Sequence, residues 1–415
     1  MLYIKYSRIL YGEVITIRRL IKKIVVWSDS QILQIFIITL LFLFIFLLFI
    51  YTQNDVLTLV DVTIISTFLI TFFVSVLFNK SIDKLRVHVE DEIKVNYNAD
   101  KLMKRYPAEI EEGSFFKNRG ELCPIIVLYT HEPNKEIHIS DSDKQYVLPN
   151  IITNYVDKIL NAHKASKINH KKMVRLDDVR KTDKGVELFT SRTTYLDTLL
   201  TNRAIDYTLA NRLTIRDVLE PGPYINDLKT STLSNHLGFN IMVFDNEDNV
   251  ILTKRAKSVT TAKGKWSFGG SGSLKLDNAL NDNRELKIAG IEKSVKVNLE
   301  NTLGINSKYI DFNLERDLIC VYREMFEGGK PHFLLKCSIN LSSDKIYSTF
   351  DTYKQKLTKK RKNKKELHIT EIKLMNFSSL KNLNSHNNLR IGNENLELAH
   401  TVSSALKVAI YLLDR

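Results

Sequence analysis

The residues best placed to do chemistry lie between Leu237 and Gly304. A glycine loop there reads Gly264-Lys265-Trp266-Ser267-Phe268-Gly269-Gly270-Ser271-Gly272. Backbone N–H groups unshielded by side chains can converge on an anion, and aromatic rings and cations nearby can hold a base and a phosphate. Before the loop, Leu237 to Phe244 reads as a strand, Asp245 to Asn249 as a turn and Val250 to Arg255 as the returning strand, which together make a hairpin. After it, Ile291 to Leu303 reads as a helix, and Gly304 supplies the left-handed residue that ends it. Other chemistries lack their motifs: the chain has no H-E-x-x-H, no G-x-x-x-x-G-K-[ST] and no internal repeat. Cys123, Cys320 and Cys337 form no C-x-x-C pair, so neither a disulfide nor structural zinc is expected. His131, His138 and His332 are scattered and read as surface or satisfied core residues.

A hairpin, then Gly-Lys-Trp-Ser-Phe-Gly-Gly, then a helix ending Leu303-Gly304-Ile305 resembles the Nudix family over roughly Ser231 to Arg415. The resemblance implies an α/β/α sandwich with a mixed sheet. It also exposes a departure. A hydrolytic Nudix helix reads R-E-U-x-E-E-x-G-U, with U apolar, because its glutamates hold divalent metal against a pyrophosphate. With Gly304-Ile305 set on the final G-U, Val297 falls on the arginine, Asn298 on the first glutamate, and Asn301 and Thr302 on the metal-binding pair. Glu300 falls on the variable position, and Gly272 to Gly290 reads as an insertion. A neutral Asn-Thr pair cannot neutralise magnesium or activate its water. The expectation is a binding module with no catalytic residue, no metal and no cofactor. On the concave face implied by the fold, the candidate ligand residues are Phe239, Arg255, Lys265, Trp266, Phe268, Tyr322 and Arg323. Trp266 reads equally as a core residue bracing the loop, and Arg255 and Arg323 read slightly more readily as solvated strand positions than as ligand contacts.

Upstream lies a different texture. Ile32 to Tyr51 and Val56 to Phe78 are apolar runs of about 20 residues, enough at ~1.5 Å per residue to span a hydrocarbon core of roughly 30 Å. They predict a two-helix transmembrane hairpin over 31–78. Lys5, Arg8, Arg18, Arg19, Lys22 and Lys23 precede the pair and Lys80, Lys84 and Arg86 follow it, which places both termini in the cytoplasm of a multi-pass inner-membrane protein. Thr63, Thr67, Thr71 and Ser75 fall at steps of four on one face, a weak helix–helix interface if their hydroxyls do not bond back to their own carbonyls. The formal net charge of +13 favours anionic partners, lipid headgroups or nucleotides.

The remaining boundaries follow composition. Residues 1–30 form a basic N-terminal segment, 79–107 a stalk helix closed by Pro107, 108–230 an α/β linker region or small lobe, and 231–415 the nucleotide-sensing domain. Strands are expected at Cys123 to Tyr129, Val186 to Phe189, Leu318 to Arg323, Phe333 to Ile339 and Thr370 to Met375, with helices at Ile151 to Asn161 and Leu396 to Leu413. Two spans joined to a degenerate Nudix module are similar to membrane effectors of bacterial cyclic-oligonucleotide antiphage signalling systems. That resemblance implies a cyclic nucleotide messenger as ligand, a messenger-synthesising nucleotidyltransferase as functional partner, a homo-oligomer on activation, and disruption of inner-membrane lipid that kills or arrests the infected cell. Two other readings stand beside it: a receptor or scaffold that does not lyse the membrane, and a membrane-tethered hydrolase recruiting Glu285, Glu292, Glu300 or Glu324.

Overall fold

The computed structural model describes residues 93, 95–163, 170–257, 259, 262–281, 285–359, 368–384 and 387–414. The chain divides into two units. One comprises Met1–Glu92 with Asn161–Ile168 and lies almost wholly outside the described residues. The other comprises Ile93–Leu160 and Asn169–Arg415, and everything below concerns it.

Its strands, in chain order, begin with β1 (Phe115–Asn118), β2 (Glu121–Thr130), β3 (Glu136–Gln145), β4 (Lys172–Lys181) and β5 (Gly185–Thr194). The hairpin strands are β6 (Gly238–Phe244) and β7 (Asn249–Arg255), followed by β8 (Trp266–Phe268) and β9 (Gly270–Ser273). Then come β10 (Ile310–Asp311), β11 (Leu318–Glu324), β12 (Lys330–Ile339), β13 (Ile369–Asn376), β14 (Asn388–Ile391) and β15 (Glu394–Glu397). Three long helices are α1 (Ile288–Leu303), α2 (Ser343–Lys359) and α3 (His400–Leu413).

Among the described residues, ten strands form one mixed sheet of order β1-β2-β11-β12-β6-β7-β13, with β10 added to β12, β8 to β7 and β9 to β6. Its parallel pair is β12 on β6, in register from His332 opposite Gly238 to Ser338 opposite Phe244. The hairpin itself pairs only at Val243–Ile251 and Phe244–Val250, because the glycine loop returns as strand. β9 takes Gly238 to Ile241 and β8 takes Leu252 to Lys254. A separate three-stranded sheet, β3-β5-β4, buries Val174, Leu176, Val186 and Leu188 in the core shared with the large sheet.

Strand alternation assigns side chains to two faces. Phe239, Ile241, Val243, Ile251, Val321, Phe333 and Leu335 pack with Ile291, Val295, Leu299 and Leu303 of α1. Met242, Val250, Leu252, Cys320, Tyr322 and Leu334 pack with Val402, Ala405, Leu406 and Ala409 of α3. α1 ends at Gly304 with φ +73, and a Cβ there would lie 2.3 Å from the Tyr353 ring, so glycine is required by conformation and by space.

Several expectations change. The fold class is corrected to α+β with a large mixed sheet: among the described residues no helix is long and apolar enough to cross a membrane. The longest, α2, has 17 residues, which at ~1.5 Å each is shorter than a bilayer core, and it carries lysines and aspartates. The membrane assignments drawn from the sequence, including the transmembrane hairpin, multi-pass inner-membrane placement and cytoplasmic termini, are therefore not carried forward. Residues 31–78, with Thr63, Thr67, Thr71 and Ser75, lie outside the described residues. Nearer the sheet, the described end of the expected stalk is a short helix, Ala99–Met103, capped by the Asn98 side chain. Pro107 opens the next helix, Pro107–Glu111, at its first position, where a missing N–H costs nothing. β1 and β2, from the segment before Pro221, form an edge of the large sheet through β11.

Candidate functional site

Glu292, Asn298 and Glu300 of α1 each fasten a neighbouring segment to the helix. The Asn298 amide donates to the Ser271 carbonyl at 3.2 Å, and its Oδ1 is buried without a hydrogen-bond partner among the described residues. Asn301 turns back to donate to the Val297 carbonyl at 2.7 Å. Glu300 accepts from the Ser307 backbone N–H at 2.7 Å, and Glu292 accepts from that of Leu314 at 2.9 Å and from the Asn313 side chain at 3.2 Å. Glu285 is exposed and pairs with Lys287 at 3.5 Å. Among the described residues no three His, Cys, Asp or Glu side chains are placed to share a metal ion.

The seven candidate ligand residues do not meet. Phe239 packs on the α1 face, whereas Trp266, Phe268 and Tyr322 are buried on the α3 face. Trp266 braces the loop: its carbonyl accepts from the Ala399 N–H at 3.3 Å, and Lys254 lies over its ring at 5.5 Å. Lys265 is ion-paired with Glu397. Arg323 is fully buried, donating to the Gly329 carbonyl at 2.9 Å and the Asn226 carbonyl at 2.6 Å, so it holds a turn. The Tyr322 hydroxyl accepts from the Asn240 amide at 2.7 Å. Arg255 closes β7, its pKa lowered by burial and then by the positive charge of Arg203.

That last interaction points to where ionisable groups do converge: one end of the sheet, on the α3 face. In register across the strands stand Ser273, Gly238, His332 and Tyr322. Gly238 is bare so that the His332 ring can lie against the strand; a Cβ would sit 2.4 Å from Nδ1. His332 stacks on Tyr322 with ring centroids 5.4 Å apart, and its Nδ1 has no hydrogen-bond partner among the described residues. Beside it, buried His236 bridges Ser273 Oγ at 2.9 Å and Thr198 Oγ1 at 2.5 Å.

The turn after β11 brings the charges. Glu327 sits between Lys330, at 3.1 Å, and Arg203, at 3.5 Å. Burial pushes the Glu327 carboxyl up, but Lys330 and Arg203 outweigh it and hold it at about 2. Glu324 accepts from the backbone N–H groups of Phe326 and Glu327 at 2.9 and 3.0 Å. Burial and the Glu327 charge nonetheless push it up to about 8, so it keeps its proton at neutral pH. Burial and then Lys330 lower His332 to about 3; burial, Lys330, His332 and Arg203 lower His236 well below its ordinary range. Both imidazoles are neutral. A Ser273–His236 pair has the spacing of a nucleophile and its base, but the neighbouring cations oppose the imidazolium such catalysis requires. What the arrangement holds is an enclosed ion cluster in which Lys330 and Arg203 both contact Glu327.

Of these groups, the sequence singled out Tyr322, His332 as a bland residue and Glu324 as a recruited acid. Arg203, His236, Gly238, Glu327 and Lys330 carried no motif. The one local signal is the i,i+3 spacing of Glu324, Glu327 and Lys330, which is ordinary in any charged turn.

No family model matches the chain, and no curated protein does. One solved structure to which it is similar is the MutT protein from Methanosarcina mazei Go1, at 10% identity and a TM-score of 0.24, over 43% of this chain and 95% of that one.

Proposed function

We propose that this chain recognises a nucleotide without cleaving it, as a binding module on a Nudix-like scaffold. The observation that carries the reading is the state of α1. Where a hydrolytic helix would aim glutamates at a shared metal, this one has Asn298, Asn301 and Thr302, and its own acids, Glu292 and Glu300, each hold the backbone of a loop. Moving either acid to a metal would release that loop. The ligand class follows from the sequence resemblance: a cyclic nucleotide messenger supplied by a nucleotidyltransferase, with binding linked to homo-oligomer formation. If assembly is the output, driving it from 1:99 to 99:1 requires about 5.5 kcal/mol of differential binding, within reach of one multi-phosphate ligand held between two copies.

Isothermal titration of the full chain with cyclic di- and trinucleotides tests the reading. Saturable binding with intact nucleotide recovered supports it. Magnesium-dependent turnover of a nucleoside diphosphate derivative overturns it, and so does the absence of binding across the panel. Light scattering with and without the bound nucleotide tests the assembly step.

A further inference from the structure

We propose that one ribose–phosphate unit of the nucleotide is held in a groove on the outer side of α1, its phosphate on Lys293 and Lys296 and its hydroxyls on Glu292 and Glu300. The inference rests on the reading above and names its site, a cavity of about 290 Å³ lined by the helix and by Ser307 of the segment after it.

Hydrogen bonds of the two acids build the groove. Glu300 accepts from the Ser307 N–H at 2.7 Å and Glu292 from the Leu314 N–H at 2.9 Å, each through Oε1, so the chain that leaves the helix is tied back to it at two points. Along that side α1 lines the cavity with Glu292, Lys293, Lys296 and Glu300. Asn298 lies two residues from both Lys296 and Glu300, about 200° round the helix, and donates to Ser271 instead. The groove is therefore on the opposite side of α1 from the glycine loop.

The lining selects the ligand. Lys293 and Lys296 are i,i+3 neighbours, about 5–6 Å apart at Cβ. Lys293 is exposed and Lys296 half-buried, and neither has an ion pair or hydrogen bond with another described residue. Two ammonium groups can therefore donate to one phosphate. The acids are placed differently. Oε1 of each is occupied by its backbone donor, while Oε2 has no hydrogen-bond partner among the described residues. Such an oxygen accepts from a hydroxyl and repels an anion. A bare phosphate would meet the lysines and be opposed by the acids, whereas a sugar phosphate satisfies both. None of the lining residues is aromatic, so a base finds no stacking surface and extends out of the groove. The volume lies at the small end of the about 300–1,000 Å³ usual for ligand sites, and it fits one sugar phosphate and not a whole cyclic dinucleotide.

The test titrates the full chain with ribose 5-phosphate, 5′-AMP, 5′-CMP, cyclic di-AMP, adenosine and inorganic phosphate. Ribose 5-phosphate, AMP and CMP are expected to bind within about threefold of one another, since a stacked base would add more than that, and all more tightly than adenosine or phosphate. Lys293→Gln combined with Lys296→Gln should weaken all three roughly tenfold and flatten the salt dependence of binding. Glu300→Gln keeps an oxygen for the Ser307 N–H, so the groove stands; ribose 5-phosphate should bind roughly threefold more weakly while inorganic phosphate does not weaken. Thermal melts establish that each variant is folded. If cyclic di-AMP binds and the double lysine variant binds it as wild type does, this site is wrong and the nucleotide reading stands. If AMP exceeds ribose 5-phosphate by more than about tenfold, a stacked base carries the affinity and the groove is not the site. If inorganic phosphate binds as tightly as ribose 5-phosphate, the role given to the glutamates falls. If no probe binds wild type, both proposals fall.

Discussion

Two pairs of glutamates, one on α1 and one on the turn after β11, show how little a residue type decides by itself. Glu292 and Glu300 lie at the surface of α1, and each accepts a backbone N–H within 3 Å. Glu324 and Glu327 also accept or sit beside backbone donors, but they are enclosed, and enclosure separates their chemistry. One stays protonated to about pH 8 and the other stays ionised to about pH 2. The first pair ties loops to a helix; the second sets the charge of a patch. Burial strengthens both the cost of an ion and its attraction to a neighbour, so two carboxyls three residues apart are driven in opposite directions.

The contrast is broken most severely at Glu327. Glu327→Ala leaves the enclosed Lys330 without the carboxylate it pairs with and should cost about 3–5 kcal/mol in chemical denaturation. Glu300→Ala, which removes one hydrogen bond at the surface, should cost about 1 kcal/mol. Equal losses would mean that enclosure is not what distinguishes the pairs.

Gly238→Ala comes next. Its methyl must displace the His332 ring, so the fold should lose about 1–3 kcal/mol. The His332 ring resonances should shift in the NMR spectrum while those of His131 do not.

A pH-dependent effect belongs to Glu324. Its folded pKa, about 8, lies above the ordinary value of 4.5, so between those limits the folded chain keeps a proton that the unfolded chain has lost. Stability therefore falls as pH rises through that window, by about 1.4 kcal/mol per pH unit for this group. Glu324→Gln should flatten that limb in melts between pH 5 and 8. The neighbours work in the other direction. Glu327 contributes stability that is present above 4.5 and lost as pH falls toward about 2. His332, neutral in the fold down to about 3, loses stability as pH falls from 6.5. An unchanged alkaline limb in the Gln variant would show that Glu324 is ionised in the fold.

The mildest change is Asn298→Ala. It removes the bond to the Ser271 carbonyl together with an Oδ1 that has no partner among the described residues, so the loss in thermal melts should not exceed about 1 kcal/mol. A larger loss would mean that this single bond holds the glycine loop on the helix.

Much of the strand and helix pattern was legible because it is local. Apolar runs bounded by turns gave β2, β6, β7, β11, β12 and β13, and Gly304 marked the end of α1. The expected helix from Ile151 to Asn161 is instead two pieces, Asn150–Thr153 and Val156–Ala162, with Asn154 and Tyr155 between them. The ligand residues were the least legible. A period-two pattern says that neighbours face opposite ways and never which face is which, so Phe239 and Trp266 were grouped although the sheet lies between them.

By itself the sequence determined that α1 carries amides and a hydroxyl where a metal-binding helix carries acids, because that is a matter of residue identity at a spacing fixed by the helix. Only tertiary structure could decide that Arg203, Glu327, Lys330 and His332 form one corner. They come from separate stretches of the chain. The charges they hold come from desolvation and mutual distance, and neither exists until the sheet has closed around them.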